Sequence, residues 1–170
     1  MMSSGLFFIS CQLLAIGGAM KILSPSFAGE AWSSLGFPSS LTFVRAVGLL
    51  EFSSAISAAV IGGAFLPFIV GGWYALFFVV TFRLFRIPES LPCGCFGTSS
   101  TPVSIQHIIM NLFFMICSVS AIGNSGLSAE MSSSNLHSIL YLFLIVAGAG
   151  LSYLFVATNV TGFARFKDSL

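Results

Sequence analysis

Apolar residues run almost unbroken along this chain, and polar residues fall in short clusters between the runs. The pattern predicts five membrane-spanning helices, over residues 5–23, 41–63, 68–85, 101–122 and 137–160. Each is close to the roughly 20 residues that cross a hydrocarbon core of about 30 Å. Between the first two lies "SPSFAGEAWSSLGFPSS", residues 24–40, where "FAGEAWSSL" suits a short interfacial helix. Gly62, Gly63 and Pro67 mark a tight turn before the third span. Thr101 and Pro102 read as an N-cap followed by proline in the first turn of the fourth. "GNSGLSAEMSSSN" reads as a solvated loop before the last span. The predicted fold is all-α, a polytopic transmembrane helical bundle. Its expected divisions are a four-helix core over 1–123, a polar loop over 124–136, and a fifth helix with a short tail over 137–170.

Composition strengthens this reading. Apolar residues make up 56% of the chain and charged ones 6%, against roughly 25% charged in soluble domains. "MMSSGLFF" carries no positive n-region and no small-residue cleavage site follows, so the first segment is expected to remain as a helix. The net charge of +1 comes without a basic run, which argues against nucleic acid as a partner; the bilayer is the partner this composition demands. No long hydrophilic stretch offers room for a soluble domain. Chemistry therefore belongs to the bundle or its short loops.

Charge also suggests an orientation. With five spans, Lys21, Arg45, Arg83, Arg86, Arg165 and Lys167 all fall on one side. The positive-inside rule makes that side cytoplasmic in a multi-pass plasma-membrane protein, with the N-terminus outside. The loop "LPCGCFGTSS", residues 91–100, shares the basic side. Small residues in "AIGGAM" and "VAGAGLS" suit close helix packing.

Candidate chemistry begins with that loop. Cys11 and Cys117 lie inside spans, where cysteine behaves as a small apolar residue. Cys93 and Cys95 flank Gly94, which permits the turn a strained, readily reduced disulfide needs. Arg83, Arg86 and the following helix start favour thiolate, and Glu89 opposes them. Three readings stay open: a redox pair, part of a metal site, or a turn with incidental cysteines. A zinc site built from Cys93, Cys95 and His107 is one ligand short of a closed tetrahedral set. Nothing in the pattern calls for a cofactor.

Polar residues inside the spans come next. Glu51 lies too deep for an unpaired carboxylate, so it is either protonated or paired with Lys21, Arg45 or Gln12. His107 and Asn111 share a face of the fourth span, with Gln106 on a neighbouring one. His107 is placed to exchange protons with a thiol pair, and the alternative is a polar clamp between helices. His137 reads as interfacial, and Trp32, Trp73 and Tyr74 as interfacial or packing residues.

"KILSPSF" (21–27) resembles the K-x-x-x-P-x-F signature ending the first helix of DoxX-like membrane proteins, and the glutamate of "RAVGLLEFSSAI" resembles their second-helix Glu. "PCGCFG" followed by an apolar helix resembles the methylamine-utilisation MauE branch. The resemblance covers residues 5–122 and implies a four-helix core of that kind plus a fifth helix. It implies a thiol-disulfide redox or maturation component, assisting a disulfide-rich enzyme subunit of methylamine metabolism alongside a thioredoxin-like partner or client. It further implies Cys93 and Cys95 as the redox pair, with Lys21, Glu51 and Arg83 as polar residues of the bundle; Arg45 and Asn111 join that polar set on position. Two other classes stand beside this one. A small-molecule or metal-ion transporter would use Glu51, Gln12, His107 and Asn111, and a non-catalytic assembly subunit would need none of them.

Overall fold

A computed structural model provides the structure, describing residues 2–87, 103–123, 126, 139, 143, 146–151 and 154. Among these residues the chain is helical, as a bilayer requires of any backbone that must satisfy its own hydrogen bonds. The elements are α1 (Met2–Leu23), α2 (Pro25–Ser34), α3 (Leu41–Ile61), α4 (Phe65–Phe85) and α5 (Ile105–Ser120). Three of them, α1, α3 and α4, are long and apolar enough to cross a membrane. At 16 residues α5 extends about 24 Å, short of a full crossing. The described positions between 139 and 154 are helical, and Ala149 among them is buried.

Local signals account for most boundaries. Pro25 opens α2, where its missing N–H has no consequence. Ser40 caps α3 by accepting the Phe43 N–H at 3.3 Å. Gly62 and Gly63, with φ of 70° and 87°, turn the chain where a side chain would be strained. Two expectations need correction. Helix α4 begins at Phe65, so Pro67 sits within its first turn and not in the preceding turn. The N-cap of α5 is Ser104, not Thr101, because Ser104 and His107 form a reciprocal capping box.

The bundle packs an apolar core around Phe7, Leu14, Val70 and Phe114, yet it also exposes large apolar side chains and encloses two charges. Phe65 is 73% exposed and Ile61 66%, whereas Lys21 is 3% exposed and Glu51 is fully enclosed. Lipid tails are as apolar as leucine, so hydrophobic exclusion does not draw the helices together; packing and interhelical hydrogen bonds must. Polar links of that kind run throughout the core. Lys21 joins α1 to α3, and Trp73 Nε1 donates to Ser54 Oγ at 3.0 Å between α4 and α3. Tyr74 Oη donates to the Ser10 carbonyl at 2.6 Å between α4 and α1. Asn111 Nδ2 donates to Thr81 Oγ1 at 3.3 Å between α5 and α4, and the Ser10 and Ser118 hydroxyls meet at 3.4 Å between α1 and α5.

Helices α1 and α3 run antiparallel and nearly touch at Gly18 and Gly48. A Cβ on Gly18 would lie 2.7 Å from the Gly48 carbonyl oxygen, and one on Gly48 would lie 2.7 Å from that of Gly18. Neither obstacle is a flexible side-chain end. Opposite the basic end, the Gly123 N–H donates to the Gly63 carbonyl at 3.1 Å and ties the α3–α4 turn to the end of α5.

Replacing Gly48 with valine is therefore expected to force α1 and α3 apart and cost about 1–3 kcal/mol or more. Thermal melting of the detergent-purified protein checks this; the exposed Gly72, where a Cβ meets nothing, is the control and should tolerate alanine.

Candidate functional site

The only buried charges among the described residues are Lys21 and Glu51, and they meet. Lys21 Nζ donates to Glu51 Oε2 at 2.6 Å. Glu51 lies ten residues into α3, which places it about 15 Å from that helix's start. Lys21 lies two residues from the end of α1. Helical side chains lean toward their own N-terminus. Because the two helices are antiparallel, Lys21 leans inward from the basic end and Glu51 leans outward to meet it. Gly18 and Gly48 each precede their charged partner by three residues, one turn away on the same face. The glycine crossing thus sets the separation at which the two side chains join.

The pair is not fully satisfied. Glu51 Oε1 has no hydrogen-bond partner among the described residues. The ammonium of Lys21 also lies over the Phe77 ring, 4.8 Å from its centroid, where the ring's negative face attracts it.

Beside Lys21 a cavity of about 40 Å³ opens between α1, α4 and α5. Lys21, Tyr74, His107 and Asn111 give it polar groups, and Phe77 and Phe114 contribute aromatic walls. His107 is 6% exposed, and its Nδ1 accepts the Ser104 N–H at 3.3 Å with Ser104 Oγ 3.0 Å away. That leaves Nε2 as the ring nitrogen free for other contacts. Asn111 uses its amide on Thr81 and keeps its carbonyl oxygen.

The candidate residues divide into groups. Lys21, His107 and Asn111 share the cavity, with Glu51 bonded to Lys21 behind it. Arg45 and Arg83 are exposed at the basic end and do not enter the bundle. Gln12 lines a separate groove of about 420 Å³ between α1, α3 and the 146–150 stretch, so it does not meet His107 or Asn111 there. Cys11 and Cys117 are free and buried. Cys93, Cys95, Glu89 and His137 lie outside the described residues. Gly48, Tyr74 and Thr81 belong to this region but were not singled out as site residues by the sequence. For Gly48 the matching signal is the pair "GAMK" and "GLLE", a glycine three residues before each charge.

The family described as Methylamine utilisation protein MauE matches residues 2–123, which include α1 to α5. Comparison with curated proteins and with solved structures gives no match.

Removing one partner of a buried ion pair strands the other charge and costs about 3–5 kcal/mol, whereas apolar replacement of both is close to neutral. Lys21→Met and Glu51→Leu are each expected to destabilise the bundle, and the double variant to recover most of the loss. A double-mutant cycle on unfolding in mixed micelles measures the coupling.

Proposed function

Since the chain belongs to the MauE family and is a multi-pass membrane protein, we propose that it is a thiol-disulfide component that exchanges electrons with a thioredoxin-like partner through Cys93 and Cys95. One observation carries the assignment. Of the four cysteines, Cys11 and Cys117 are buried inside helices, which leaves Cys93 and Cys95 for a water-soluble partner. The loop that bears them joins the end of α4 to the start of α5, next to His107.

The exchange balances within the two proteins. A thiolate of the reduced pair attacks the partner's disulfide and forms a mixed disulfide. The second thiolate then resolves it, so the pair is oxidised and the partner gains two electrons and two protons. The reverse sequence oxidises the partner. In this reading His107 and Glu51 handle the protons, and Arg83 and Arg86 favour the thiolate. The basic end faces the cytoplasm of a plasma-membrane protein in this reading, and the client is a protein whose cysteines must be paired; the family's name supports a setting in methylamine utilisation.

The test is the in-cell state of the pair. Cells quenched in acid and alkylated with and without prior reduction should yield a "PCGCFG" peptide that is oxidised or split between two masses. Cys93→Ser and Cys95→Ser should each abolish client maturation while leaving the bundle's melting temperature unchanged. A pair found reduced in every growth condition overturns the proposal.

A further inference from the structure

The cavity beside Lys21 has a donor and acceptor set that the thiol reading does not use. Lys21 is 3% exposed and His107 is 6% exposed, and both line it with Asn111. Tyr74 also borders it, but its hydroxyl is committed to the Ser10 carbonyl. Glu51 stands behind it, bonded to Lys21.

The free valences have one combined requirement. Lys21 offers ammonium hydrogens beyond the one given to Glu51. With Nδ1 accepting from Ser104, a neutral His107 carries its hydrogen on Nε2 and is a donor there. Asn111 Oδ1 is an acceptor, since its amide nitrogen donates to Thr81. Two donors and one acceptor around a small space match a water molecule, which accepts twice and donates at least once. The volume agrees: about 40 Å³ exceeds the roughly 10–15 Å³ that one water requires. A bulky ligand would not fit.

We propose that this cavity is a hydration site inside the membrane, holding one or two ordered waters between Lys21, His107 and Asn111. His107 is the third residue of α5, at the same end of the bundle as the ion pair's lysine-bearing helix end. The waters therefore solvate the Lys21–Glu51 pair from the basic end and let the ammonium's hydrogens exchange with solvent. A proton passes from ammonium to water as another returns, so no net charge moves. This inference does not depend on Cys93 or Cys95.

The chain contains two lysines, Lys21 and Lys167, so 15Nζ-lysine labelling yields two signals that Lys21→Arg assigns. In protein reconstituted into phosphatidylcholine vesicles, water-to-15Nζ transfer by solid-state NMR should reach Lys21. Asn111→Leu and His107→Phe should each slow that transfer at least tenfold, with the Lys21 15Nζ chemical shift retained because its contact with Glu51 persists. A wild-type Lys21 signal without water transfer overturns the proposal whether or not the variants fold. So does transfer unchanged in folded Asn111→Leu and His107→Phe proteins, since water would then reach Lys21 by another route.

Discussion

Two opposite charges deep among hydrocarbon are tolerable only if they reach each other, and that requirement governs this bundle. Lys21 and Glu51 start at different depths, and the antiparallel sense of α1 and α3 tilts their side chains together. The contact also needs the helix backbones to lie close. Gly18 and Gly48 supply that closeness by leaving carbonyl oxygens where side chains would otherwise stand. Charge, glycine and helix direction thus form one device. None of the three works without the others.

Around it the core is assembled from many modest polar contacts. Ser10, Ser54, Tyr74, Trp73, Thr81, Asn111 and Ser118 connect neighbouring helices among buried apolar side chains such as Phe7, Leu14 and Phe114, while others such as Phe65, Phe68 and Ile61 face outward. In water such hydroxyls would be solvated in the separated helices and gain little by pairing. In a bilayer their alternative is a less satisfied state, which shifts the balance toward association. A well-tied core of this sort gives the α4–α5 loop two fixed anchor points at one end.

Much of this was legible from the chain alone. The long apolar runs located α1, α3 and α4 closely, and "FAGEAWSSL" marked α2, since membrane helices announce themselves by length and composition. That Glu51 must be either protonated or paired was equally plain from its depth. Which partner it takes was not, because Lys21, Arg45 and Gln12 all stood as candidates and the choice turns on which faces of α1 and α3 meet. Arg45 is the fifth residue of α3 and is exposed, while Lys21 is buried and leans inward. The start of α5 was misplaced for a different reason: Thr101-Pro102 is a good generic start, but the helix is capped by a local Ser104–His107 box whose third position holds histidine in place of the usual Glu or Gln. The cavity, finally, depends on which faces of α1, α4 and α5 meet, and no single helix encodes that.

His107 carries one more consequence. Its Nδ1 is the acceptor that closes the first turn of α5, so the atom that would take up a proton is also the atom that fastens the helix. Protonation there would turn acceptor into donor, release the Ser104 N–H, and set a cation at a helix end whose dipole already carries positive charge. Acid–base state and the first turn of α5 are in this way written in the same lone pair: a proton gained by the ring is a cap lost by the helix.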